Sequence, residues 1–137
     1  MKKIQLLCLF AIMMLLGCNN DDDNRNDTSL QGTWKLIEVN GTIAGIRDLF
    51  EPGTIQWNFN TSNHTFTVVN NNTDESKQDV FESGTYGYFI ESHDVSPGTC
   101  SKNIFLEGAN YGCYSTTSTT LQINHGEADG IILKFIR

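Results

Sequence analysis

The chain has 137 residues, a formal net charge of −7 and only 18% charged residues. This acidic surplus argues against nucleic acid as a partner, because phosphate binding needs a basic surface. Few charges together with abundant Asn, Thr, Ser and Gly describe a β-rich exported protein and not a helical or disordered one. The chain opens with Met1-Lys2-Lys3, a positive start, followed by an apolar run from Ile4 to Leu16 broken only by Gln5. That run is too short for a permanent bilayer span, so residues 1–17 read as a signal peptide. Its removal leaves 120 residues with a net charge of −9, which is one domain by size.

The apolar run ends in Leu15-Leu16-Gly17-Cys18, which resembles the lipobox of bacterial lipoproteins. The resemblance implies cleavage after Gly17, a diacylglyceryl group on the Cys18 sulfur and acylation of the freed amine. Two or three acyl chains, at about 0.8 kcal/mol per buried methylene, make a stable membrane anchor where one chain is marginal. Cys8 leaves with the leader. Residues 18–29 then form a linker: Asn19 to Asp27 holds no apolar residue and reads as a solvated acidic tether. Sorting rules for such lipoproteins retain those with Asp after the lipidated Cys at the inner membrane. Asn19 stands there, which implies the outer membrane. The run Asp21 to Asp23 suits a surface-export tag and a plain spacer equally, so both the periplasmic and the surface-facing side stay open.

From Leu30 onward short alternating segments recur between turn clusters, the pattern of an all-β barrel or sandwich. Strands are expected at Thr33 to Val39, Ile55 to Asn60, His64 to Val69, Val80 to Glu91, Asn103 to Glu107, Tyr111 to Thr116, Thr119 to Asn124 and Gly130 to Ile136. Ile55, Trp57 and Phe59 share one face of the second strand, and Thr61-Ser62-Asn63 turns the chain back into the third. Asn70 to Asp79 is a long polar turn. Gly84 and Gly87 within one strand suggest bulges or sharp bends that help a small barrel close. In the connection from Gly41 to Gly53, Ile46, Leu49 and Phe50 fall at i, i+3 and i+4, so one helical turn with an apolar face is expected there. Eight strands with short connections form an antiparallel meander whose first strand can pair with its last.

Gly32-Thr33-Trp34 on the first strand, the long first loop and Arg137 just past the last strand resemble the lipocalin-like (calycin) proteins, and most closely the small bacterial lipocalin-like lipoproteins. The resemblance covers residues 30–137 and implies an all-β, up-and-down, eight-stranded barrel with a basic residue packed on the Trp. Gly32, Trp34 and Arg137 are then structural: a guanidinium laid on an indole contributes about 0.5–1 kcal/mol when exposed. The expected barrel is shorter than in typical ligand carriers of that family, and no counterpart of their C-terminal helix is expected after it; both departures argue against a large ligand cavity.

Trp57, Phe59, Phe66, Tyr86, Tyr88 and Phe89 form an aromatic group on the middle strands. With the loop residues Ile46, Leu49 and Phe50 they are candidate ligand-binding residues for a small apolar or amphipathic molecule. If side chains fill the barrel instead, they are core, and the domain is a protein- or glycan-interaction module. Cys100 and Cys113 remain after export, and an oxidising compartment favours a disulfide over free thiols. Its 14-residue loop would contribute about 3 kcal/mol in the chain-entropy account. His64, His93 and His125 are scattered near turns without metal-ligand spacing. Asp74-Glu75, and Glu127 with Asp129, lie in turns that do not bury a carboxyl enough to make it a general acid. No nucleophile elbow or phosphate-binding loop is present. The expectation is a monomer that is not an enzyme and uses no cofactor or metal.

Overall fold

A computed structural model of the chain describes residues 29–41, 45–92, 100–125 and 130–137. The leader, Cys18 and the acidic tether lie outside the described residues, as do Ile43, His93, Asp94, Glu127 and Asp129. Among the described residues all regular structure is β. The strands are β1 (Gly32–Gly41), β2 (Arg47–Leu49), β3 (Ile55–Asn60), β4 (Thr65–Asn70), β5 (Gly84–Ser92), β6 (Lys102–Leu106), β7 (Ala109–Thr116), β8 (Thr120–Asn124) and β9 (Ile131–Ile136). From β3 onward each strand pairs antiparallel with the next, β3 also pairs with β1, and β9 returns to β1. Eight strands thus close into an up-and-down barrel, with β2 as an addition. The ten-residue β1 pairs with β9 along one edge, from Lys35 opposite Ile136 to Gly41 opposite Ile131. Along its other edge β3 takes Gly32 to Leu36, and β2 takes Glu38 to Asn40.

The interior follows the period-two pattern. Ile55, Trp57 and Phe59 point in from β3, Phe66 and Val68 from β4, and Leu133 and Phe135 from β9. Strict alternation on β1 would follow Trp34 and Leu36 with Glu38 inside. A bulge between Leu36 and Glu38 shifts the parity, so that Val39 enters the core opposite Leu133 and Glu38 leaves the core face, its side chain largely covered, beside Lys134. A second register shift lies between β6 and β7. There Gly112 has φ +80, and a Cβ on it would stand 2.4 Å from the Asn124 carbonyl oxygen, so only glycine fits this approach.

Three sequence expectations are corrected. The segment at Ile46, Leu49 and Phe50 forms no helical turn: residues 47–49 are β2, because β3 leaves the far half of the β1 edge unpaired. Val80 to Ser83 precede β5 and do not belong to it. Gly84 and Gly87 are not bulges, since β5 keeps continuous register with both neighbours. Gly84 instead makes room for the Tyr86 ring, whose atoms lie 3.1–3.3 Å from where a Cβ would stand.

One end of the barrel is sealed. Trp34 is fully buried, and its Nε1 donates to the Leu30 carbonyl at 2.8 Å. The Arg137 guanidinium lies 4.1 Å from the centroid of the Trp34 ring and donates from Nη2 to the Ser29 and Gln31 carbonyls at 3.1 and 3.0 Å. Gln31 Oε1 accepts from both Thr61 N and Thr61 Oγ1 at 2.8 Å. Ser29 Oγ accepts from Thr116 Oγ1 at 2.9 Å. Residues 29–31 therefore cross beneath the barrel as its floor. The Cys100–Cys113 disulfide is formed, with Cα atoms 5.7 Å apart, and ties the approach to β6 to the middle of β7. Arg137→Ala is expected to cost about 1–2 kcal/mol in denaturant unfolding, through the lost stack and two charge-assisted bonds. Arg137→Lys should recover less than half, because an ammonium cannot lie flat on the indole while reaching both carbonyls.

Candidate binding site at the barrel mouth

The opposite end is built from the far part of β1, from β2, and from the segment between β4 and β5. Glu38 holds β2 in place. Its carboxylate accepts from Asn40 Nδ2 at 2.8 Å, Arg47 Nε at 3.1 Å and Lys134 Nζ at 3.2 Å. These bonds, that from Asn40 foremost, hold the Glu38 pKa below the ordinary value of 4.5 against the opposing effect of partial desolvation. Phe50 follows β2, donates its backbone N–H to the Ile37 carbonyl at 3.0 Å and turns its ring inward.

The polar segment after β4 folds onto β2. Lys77 Nζ donates to the Leu49 carbonyl at 2.8 Å and stands 5.4 Å from the Phe50 ring centroid. The Gln78 N–H donates to Asp48 Oδ2 at 2.8 Å. Asp79 Oδ2 accepts from Asn70 Nδ2 at 2.8 Å and Asn72 Nδ2 at 3.2 Å. Asp74 Oδ1 accepts from the hydroxyl and backbone N–H of Ser76, which lowers the pKa of that carboxyl.

The strap ends in a γ-turn. Phe81 N donates to the Asp79 carbonyl at 2.9 Å, and Val80 between them has φ +71. A β-branched residue rarely adopts this region, and the strain costs about 1–3 kcal/mol. The turn delivers the half-buried Phe81 ring into an aromatic surround. Its centroid lies 4.8 Å from Tyr86, 5.4 Å from Trp57, 5.4 Å from Phe66 and 5.9 Å from Tyr111. Beneath it, the fully buried Trp57 packs on Phe66 at 5.1 Å and Phe135 at 4.9 Å. The Trp57 Nε1–H has no hydrogen-bond partner among the described residues. An unsatisfied buried donor costs about 1–3 kcal/mol. The mouth thus contains both a strained backbone and an unused polar group.

The candidate ligand residues read from the sequence fall into three groups. Trp57, Phe59, Phe66 and Tyr88 meet in the interior, with Phe59 5.3 Å from Phe66 and 5.2 Å from Tyr88. Tyr86 and Phe50 line the mouth. Ile46 is set aside on the loop, where its carbonyl accepts from Gly41 N at 2.9 Å. Leu49 is 51% exposed, pointing away from the site. Phe89 faces outward and stacks on Phe105 with centroids 4.4 Å apart. Two mouth residues, Phe81 and Tyr111, were not among those candidates. Phe81 is an apolar residue within a polar stretch, which was the available signal. Tyr111 lies just before the parity shift at Gly112. No group of His, Cys, Asp and Glu side chains among the described residues is arranged to hold a metal ion.

Two consequences follow for stability. Because the Glu38 pKa is depressed, its contribution is full above the ordinary carboxylate value and is lost as pH falls through the depressed value. Glu38→Gln should therefore be less stable than the parent at neutral pH, and the difference should vanish in thermal melts at acid pH below 4.5. Val80→Gly removes the backbone strain while giving up a partly buried side chain. Its unfolding free energy from urea titration should stay within about 0.5 kcal/mol of the parent, whereas Val68→Gly in the core should lose about 3 kcal/mol. Comparison with protein families, with curated proteins and with solved structures gave no match, so the site rests on its own residues.

Proposed function

We propose that this chain is a lipid-anchored envelope protein whose lipocalin-like barrel binds a small apolar or amphipathic molecule at its mouth. The observation that carries this is the half-buried Phe81 ring, set in aromatic walls that include Trp57, whose buried N–H is unsatisfied. An apolar surround with one convergent polar group is the usual make-up of a small-molecule site. The lipocalin likeness is supported by the closed eight-stranded meander and by Arg137 stacked on Trp34. The anchor is the Cys18 lipid, with the outer membrane as its location, and the domain works as a monomer by non-covalent binding without a catalytic step or cofactor. The packed interior below Trp57 favours a second function, a filled barrel that binds a protein or glycan on its surface, where the outward Phe89–Phe105 pair offers an aromatic contact.

Soluble Asn19 to Arg137 titrated with N-phenyl-1-naphthylamine should give a saturable fluorescence rise. Affinity should fall at least tenfold when Phe50 is changed to Ser, whereas the outward Leu49 changed to Ser should leave it within about twofold. No saturable signal in the parent removes mouth binding and leaves the surface module. The anchor is checked separately: Cys18→Ser should move the protein from the membrane fraction to the soluble fraction and abolish incorporation of labelled palmitate.

A further inference from the structure

The mouth is occupied by the protein's own side chain. Phe81 makes ring contacts with Trp57, Phe66, Tyr86 and Tyr111, yet it is part of no strand. It is held in by a γ-turn at Val80, a conformation that opposes its retention. In contact with it, at 5.4 Å between ring centroids, is a fully buried indole whose N–H has no partner among the described residues, although the other indole of the chain, Trp34, gives its N–H to Leu30. The face of a phenyl ring is only a weak acceptor for an N–H donor compared with an oxygen. Phe81 therefore matches the shape of this place and leaves its polar demand unmet.

We infer that Phe81 stands in for the ring of a ligand, and that the ligand is a small aromatic molecule carrying a hydrogen-bond acceptor beside the ring, which accepts from Trp57 Nε1–H when Phe81 swings out. This rests on the mouth-binding function proposed above and names its ligand class. The ring regains the aromatic contacts that Phe81 gives up. The acceptor adds a bond that the closed form lacks, and withdrawal of Phe81 releases the turn at Val80. Release of the turn favours any ring that displaces Phe81; only the bond to the acceptor favours a ring that carries one over a plain hydrocarbon, because an acceptor is what the buried donor lacks.

The two indole protons allow a direct test on the full chain labelled with 15N-tryptophan. The probes are acetophenone, a ring with a carbonyl acceptor, and ethylbenzene, a ring of similar size without one. Acetophenone should move the Trp57 indole N–H resonance downfield in a saturable manner, leaving the resonance of Trp34 in place. Ethylbenzene should bind at least tenfold more weakly and cause no downfield shift. Phe81→Ala, which removes the internal competitor, should tighten acetophenone at least tenfold, and Trp57→Phe should erase the preference between the probes. Should either variant fail to fold, the parent resonances decide. Equal binding of the two probes, a silent Trp57 resonance, or an unchanged affinity in a folded Phe81→Ala overturns the assignment. If the naphthylamine dye still binds the parent saturably, only the ligand class falls. If the dye is silent too, mouth binding falls with it.

Discussion

The seam between β1 and β9 is the constraint on which the rest depends. One ten-residue strand serves three neighbours, and it can do so only because the bulge after Leu36 changes which side chains point inward. Without the bulge, strict alternation of the same residues would carry Glu38 into the barrel as a carboxylate among apolar side chains, at a large desolvation cost. With it, Val39 fills the core and Glu38 becomes the outer clamp between β2 and β9. The same irregularity therefore closes the cylinder and secures the strand that borders its mouth.

Much of this was legible in the residues, and the exceptions have a common origin. β3, β4 and β9 were readable because their alternation is uninterrupted, so local pattern and final burial coincide. The Trp34–Arg137 contact was legible because Trp34 lies near the start of the first strand and Arg137 directly follows the last. The segment around Leu49 was misread because the spacing of Ile46, Leu49 and Phe50 satisfies one turn of helix as well as it satisfies a short strand. The choice is made by an unpaired stretch of β1 that local sequence does not reveal. The glycines show the same effect. Gly84 accommodates a ring, whereas Gly112 accommodates a neighbouring backbone, and only the fold says which of them bends the sheet.

The candidate site was half visible for the same reason. Trp57, Phe59 and Phe66 announce themselves by alternation. Phe81 reaches the mouth through a strap held by Lys77, Gln78 and Asp79, whose partners lie about thirty residues earlier or on the end of β4. The two ends of the barrel also differ in kind. At the floor the indole proton, the guanidinium and the side-chain carbonyl of Gln31 all have partners. At the mouth, a strained peptide and an unused donor lie within one cluster of rings.

The route of the chain through the floor has a geometric corollary. Ser29 and Arg137 meet beside Trp34, so both lie at the floor, the end away from the segment that carries Phe81. A tether, a fusion partner or a solid support joined at either end would thus grip the base of the cup and leave its rim facing outward, unobstructed by its own attachment.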